Sequence, residues 1–211
     1  MEIRGVLERE IAAVYNERFE TYGPELEASL WFCKDRQMAR FEMIAQHIFG
    51  TKFKRNVQIS DIGCGYGGFS EFLNKKYPNL PYKYVGYDIA DKLVEYCQKN
   101  ITAENLEFRL GSNLHAPCDF CVVSGTFNYA PGVSVNTWRD FMRNELLTSF
   151  KYVREKLIFN LMISNTPKIS KSNIFYENLE DFLSFCNNYL GKTSVFEHKL
   201  LKHEKTFCVE K

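Results

Sequence analysis

No stretch of the 211 residues approaches the ~20 apolar positions of a membrane-spanning helix. The opening, MEIRGVLEREIAAVYNERFE, is charged and amphipathic and has no apolar core of an export signal. A cytoplasmic protein without a membrane partner is expected. Net charge is also nearly absent: 27 Lys and Arg against 26 Asp and Glu leave +1. That balance gives no electrostatic reason to expect nucleic acid or an acidic membrane as partner. The short basic run Lys52, Lys54 and Arg55 reads as a solvated approach to a strand. Repeats, linkers and low-complexity segments are missing, and ordinary hydrophobic (45%) and charged (25%) content argues against disorder. The seven cysteines are odd in number, scattered and mostly inside apolar runs, which fits reduced thiols better than a disulfide framework. His115, Cys118 and Cys121 have a ligand-like spacing. They lack a fourth partner, and Cys121 falls in an apolar strand run, so no metal is expected. The other histidines, His47, His198 and His203, read as structural or exposed.

Strands and helices alternate through the middle of the chain. Residues 3–20 carry helical spacing through Ile3, Val6, Leu7, Ile11, Val14 and Tyr15. Gly23 and Pro24 break it, and a second helix is predicted from Asp35 to Phe49, capped by Gly50. Then NVQISDIG, KYVGYDI, LEFRLGSN, DFCVVSGTFN and EKLIFNLMIS read as five strands, separated by helical FSEFLNKKY, DKLVEYCQKN and TWRDFMRNELLTSFKYV. A last helix, YENLEDFLSFCNNYLG, precedes TSVFEHKLL and TFCVEK, which read as a closing antiparallel pair. This order predicts an α/β fold, with a mostly parallel sheet and helices on both faces. Residues 1–50 form a helical cap before it, and 51–211 the core.

Glycine is sparse, twelve in all, yet Gly63, Gly65, Gly67 and Gly68 stand within six residues in SDIGCGYGGFSEFL. A strand ending in an acid, then glycines, then a helix, is a ligand-binding turn, because a backbone without Cβ atoms can lie against a bound molecule. The same glycines satisfy the dinucleotide pattern G-x-G-x-x-G. Asp61, two positions before Gly63, opposes a pyrophosphate but suits a ligand with an ammonium group. Asp88 closes the second strand 27 residues later and can accept both hydroxyls of a ribose. Ser112 and Asn113 follow the third strand, where they can meet an adenine edge. Ammonium, ribose and adenine together describe S-adenosylmethionine.

DIGCGYGGFS followed by YVGYDIA resembles the first two motifs of the class I S-adenosylmethionine-dependent methyltransferases, over roughly residues 55 to 211. The resemblance implies a Rossmann-like sheet of seven strands with the last inserted antiparallel. It places Asp61 and Gly63 by the methionine moiety, Asp88 on the ribose and Ile89 beside the adenine, with Cys64 and Gly65 also on the cofactor. TYGPELEASLWFCKDRQMARFEMI is similar to a stretch preceding the first motif in small bacterial members. There the matching Tyr22, Gly23, Trp31, Gln37, Arg40 and Phe41 pack over the cofactor, with Arg40 near its carboxylate. Ser124, Gly125, Thr126, Phe127, Asn128 and Tyr129 end the fourth strand and are expected around the reacting methyl, with Ser124 on the cofactor and Phe127, Asn128, Tyr129 and Tyr176 on the substrate. The Asn/Asp-Pro-Pro-aromatic sequence of enzymes that methylate base amino groups is missing, and Pro117-Cys118 precedes the strand rather than following it. No residue declares itself as a dedicated base; His115 and Tyr129 are the candidates. The expectation is O-methylation of a small, easily ionised acceptor by a bacterial enzyme, such as a secondary metabolite or a nucleotide- or sugar-linked surface-polysaccharide precursor. S-adenosylhomocysteine is then the second product. RNA or protein methylation, a non-catalytic partner subunit and an NAD-dependent oxidoreductase stay open as alternatives.

Overall fold

The computed structural model describes residues 2–30, 33–50 and 56–211. Its chain order is α1 (Glu2–Tyr22), a 3-10 turn (Leu26–Ser29), α2 (Lys34–Phe49), β1 (Val57–Ile62), α3 (Gly68–Lys76), β2 (Tyr82–Asp88), α4 (Asp91–Asn100), β3 (Leu106–Leu110), β4 (Cys118–Val123), α5 (Val135–Phe150), β5 (Val153–Met162), β6 (Lys168–Ile169), β7 (Phe175–Tyr176), α6 (Leu179–Tyr189), β8 (Thr193–Phe196) and β9 (Glu204–Glu210). Trp31, Lys52, Lys54 and Arg55 lie outside the described residues.

Seven strands form one sheet in the order β3-β2-β1-β4-β5-β9-β8. The first five run parallel, and β9 enters antiparallel between β5 and β8. Successive side chains on a strand point to opposite faces, and both faces are covered. Val122 and Ile158 join one apolar layer with Phe41, Ile44, Phe69, Leu73 and Val94 of α2, α3 and α4. Their neighbours Val123 and Leu157 join the other, with Trp138, Met142 and Leu146 of α5 and Phe182 of α6. Burial on both sides explains why these strands read as continuous apolar runs rather than alternating ones.

Side chains close the helix ends nearest the cavity. The Ser134 hydroxyl accepts from the Thr137 amide at 3.1 Å, starting α5, and the Asn178 side chain accepts from the Asp181 amide at 2.9 Å, starting α6. Gly50 stands at the end of α2 as expected, but in a right-handed conformation (φ −65°), donating to the Gln46 carbonyl. The β6–β7 hairpin was not anticipated; two-residue strands carry no readable periodicity. Among the described residues no helix is long and apolar enough to cross a membrane.

Candidate active site

The strand order turns back between β1 and β4, the place where an open parallel sheet leaves a crevice beyond its carboxyl ends. A cavity of about 360 Å³ opens there, within the range of ordinary small-molecule sites. Its floor is the glycine loop after β1. Gly63 has φ +75°, and a Cβ on it would stand 2.3 Å from Thr126 Oγ1. The Thr126 hydroxyl in turn donates to the Ile62 carbonyl at 2.8 Å. The loops after β1 and β4 are therefore packed onto each other across a glycine.

Two buried side chains hold the second loop. Asn160 of β5 accepts from the Gly125 amide at 3.0 Å, and the Trp138 indole donates to the Phe127 carbonyl at 3.0 Å. Asp88 clamps the first loop to β2: one carboxylate oxygen accepts from the Gly65 amide at 2.8 Å, the other from the Ala90 amide at 2.9 Å. Burial raises its pKa, and the amides of Ala90 and Gly65 oppose that. Each oxygen keeps acceptor capacity beyond these two bonds, and Asp88 lines the cavity.

Asp61 lies beneath the glycine loop, 1% exposed. Tyr84 donates to its Oδ2 at 2.6 Å, while Oδ1 is buried with no partner among the described residues. Burial pushes the carboxyl up to about 7; the bond from Tyr84 opposes this and Asp88 adds to it. An orphaned buried carboxylate oxygen invites a cation. A bound ammonium group would satisfy it.

Arg40 of α2 reaches the cavity wall. Its Nε donates to Glu204 Oε1 of β9 at 2.7 Å, and a terminal nitrogen donates to Oε2 of the same carboxylate. The pair is bidentate and nearly sealed from solvent, at 4% and 1% side-chain exposure. The other terminal nitrogen lies against Gly125, where a Cβ would come within 2.6 Å of it. One turn earlier on α2, Arg36 lines the same cavity. Its Nε is buried and has no hydrogen-bond partner among the described residues.

Helix α1 closes the remaining side. Glu8, Ile11 and Tyr15 face inward at helical spacing. The Tyr15 ring meets Tyr129 edge-on at 6.1 Å. Burial, with Asp88 and Tyr129 beside it, pushes the Tyr15 phenol well above its ordinary value, so it stays protonated. Glu145 of α5 also lines the cavity. Burial raises its carboxyl to about 7, opposed by Arg4 and reinforced by Glu8.

Of the residues selected from sequence, Arg40, Gly63, Gly65, Asp88, Ile89, Ser112, Ser124, Phe127, Asn128, Tyr129 and Tyr176 all line this cavity. Asp61 and Cys64 lie buried under the loop, outside the lining. Three residues stand elsewhere. Tyr22, at the end of α1, is 45% exposed with the Arg18 guanidinium over its ring. Asn113 is turned outward to accept from Arg4 at 2.7 Å. His115 is exposed, because the short β3–β4 connection carries it to the surface. It is therefore not placed to take a proton from anything in the cavity. Nor do His115, Cys118 and Cys121 cluster: the cysteines are buried within β4 and the histidine is not. Sequence reasoning missed Glu8, Tyr15, Arg36, Glu145 and Glu204. Only Arg36 had a local signal, its i, i+4 spacing to Arg40.

Comparison with known proteins bears on this geometry. Residues 59–144 match the methyltransferase domain family. The chain is 32% identical over 93 residues to a tRNA (guanine-N(7)-)-methyltransferase of Botryotinia fuckeliana, covering 44% of this chain and 27% of that one. It thus spans about a quarter of that relative's length. It is 22% identical over 155 residues to a provisionally named methyltransferase of Mycobacterium tuberculosis, covering 72% of this chain and 92% of the other. Among solved structures, magnesium protoporphyrin IX methyltransferase from Synechocystis PCC 6803, with S-adenosylmethionine bound, superposes with a TM-score of 0.60 at 12% identity, over 83% of this chain and 79% of that one.

Proposed function

We propose that the chain is a class I S-adenosylmethionine-dependent methyltransferase, as the match of residues 59–144 to the methyltransferase domain family supports, and that it methylates an oxygen of a small acceptor that already carries negative charge. A metabolite carboxylate or a nucleotide- or sugar-linked precursor fits that description. When bound, the cofactor supplies a methyl group on a sulfonium, ready for in-line displacement. The chain's own residues supply the rest. Asp88 receives the ribose diol, Asp61 lies beneath the loop that holds the ammonium group, and Arg40, on the cavity wall beside Gly125, stands by the carboxylate. Tyr15, Phe127, Tyr129 and Tyr176 wall the space beyond, exclude water and hold the acceptor in line. Alignment of this kind is worth about 7–11 kcal/mol when geometry is right.

One observation carries the acceptor class. Arg36 presents a guanidinium whose Nε has no partner among the described residues to a cavity lined by no histidine. A guanidinium facing the cavity suits an acceptor that arrives ionised, because it can pair with that charge. The test is transfer of labelled methyl from S-adenosylmethionine to a panel of carboxylic acids, phenols, amines and transfer RNA. Label on a carboxylate is released by mild alkali as methanol. The expected result is alkali-labile product, with kcat/KM about 10- to 100-fold lower in Arg36→Gln and S-adenosylhomocysteine affinity unchanged. Alkali-stable label on an amine or carbon would overturn the oxygen assignment. The likeness to a tRNA methyltransferase supports RNA as a second reading. It would show as steeply salt-dependent RNA affinity.

A further inference from the structure

The first turns of α1 bring a polar network to one end of the cavity. Arg4 stands at its centre. Its Nε donates to Glu8 Oε1 at 3.0 Å, and one terminal nitrogen reaches Ser112 Oγ at 3.0 Å, Asn113 Oδ1 at 2.7 Å and Glu145 Oε2 at 2.9 Å. The Ser112 hydroxyl donates to Glu8 Oε1 at 2.6 Å. Ser112 has one hydroxyl proton, and Glu8 holds it. The two side chains that sequence assigns to an adenine edge are therefore committed to α1.

What the network leaves open has a definite pattern. Glu8 Oε2 has no described partner, and Glu8 lines the cavity with Ser112. The backbone amides of Ser112 and Asn113 donate to no described group. Ile11, Ile89 and Phe141 line the same cavity as apolar walls, and Asp88 immediately precedes Ile89. A strong acceptor next to free amide donors, at the end of an apolar slot one residue from the ribose-holding carboxylate, complements one edge of a base. That edge carries an exocyclic amino group beside a ring-nitrogen acceptor. Adenine has it; hypoxanthine, with a carbonyl and a ring N–H, has the reverse.

We infer that Glu8 is a specificity-determining residue that reads the exocyclic amino group of the cofactor's adenine, held in place by Arg4 and Ser112. This rests on the S-adenosylmethionine reading of the cavity. It extends the site to α1, which lies outside the matched methyltransferase domain, and it makes cofactor binding and the docking of α1 one event. The carboxylate oxygen accepts from the amino group, while a Ser112 or Asn113 amide donates to the neighbouring ring nitrogen.

The test is calorimetric titration of the full chain with S-adenosylhomocysteine and with S-inosylhomocysteine, which differs only at the base edge. Wild type is expected to favour the adenosine compound by about 10- to 100-fold, the range of one hydrogen bond to a charged group. Glu8→Gln, whose amide can turn either its oxygen or its nitrogen to the ligand, is expected to bring that ratio below about threefold. An unchanged ratio in Glu8→Gln would overturn the assignment. So would equal affinities in wild type, a comparison that needs no variant to fold. Failure of wild type to bind either compound would instead overturn the cofactor reading on which the inference stands.

Discussion

Replacing Asp88 with alanine is expected to weaken S-adenosylhomocysteine binding by roughly 100-fold. The figure follows from the residue's place in the structure. Both carboxylate oxygens are fixed by amides, of Gly65 at 2.8 Å and Ala90 at 2.9 Å, so the group is preorganised before any ligand arrives. The ribose diol then gains two bonds to a charged acceptor, worth about 1.5–3 kcal/mol each at most. Water entering the space left by alanine recovers part of this. A net loss of about 3 kcal/mol corresponds to the quoted factor. The variant also strips two amides of their acceptor, and a fall in melting temperature of a few degrees accompanies that. Calorimetry on the folded variant separates the two effects. So does a 2′-deoxyribose analogue of the ligand: it should bind wild type more weakly, yet lose little further in Asp88→Ala. A loss of affinity below about threefold in the folded variant would refute the ribose assignment.

Other outcomes are expected from the same geometry. Gly63→Ala forces a Cβ to 2.3 Å from Thr126 Oγ1 at φ +75°; it should destabilise by more than about 1 kcal/mol, read by chemical denaturation. Arg40→Ala leaves the Glu204 carboxylate buried and unpaired and should cost about 3–5 kcal/mol, and Glu204→Leu added to it should recover part of the loss. Asp61 is an acid whose folded pKa, about 7, lies above its unfolded value. The native state therefore binds the extra proton between about pH 4 and 7, so its contribution favours folding at low pH and is lost as pH rises through 7. Melting curves across that window should flatten in Asp61→Asn. Tyr129→Phe with full turnover would remove that phenol as a base, the result expected for an acceptor that arrives ionised.

The sheet was legible because each strand is an apolar run bounded by turn residues and each helix carries a 3.6-residue stripe. The glycine loop and Asp88 were legible because a turn must be local to work. What the sequence hid is long-range. Arg40 reads as a partner for the cofactor's carboxylate, but a carboxylate of the chain itself, Glu204, 164 positions away on β9, holds it. Ser112 reads as a base contact until Glu8, 104 positions earlier, is seen to hold its proton. Tyr176 reads as the first residue of the last helix, whereas pairing of Lys168 with Tyr176 and Ile169 with Phe175 puts it in a short strand at the cavity. His115 stands as a candidate base in the sequence, and only the path of the β3–β4 connection shows it exposed and outside the cavity lining.

The most direct measurement is titration of the purified full chain with S-adenosylhomocysteine, with NADH as the control ligand. Micromolar binding of the first and none of the second is expected from Asp61 beneath the glycine loop and Asp88 beyond it. Binding of NADH alone, or of neither ligand, would contradict the assignment of this cavity to S-adenosylmethionine.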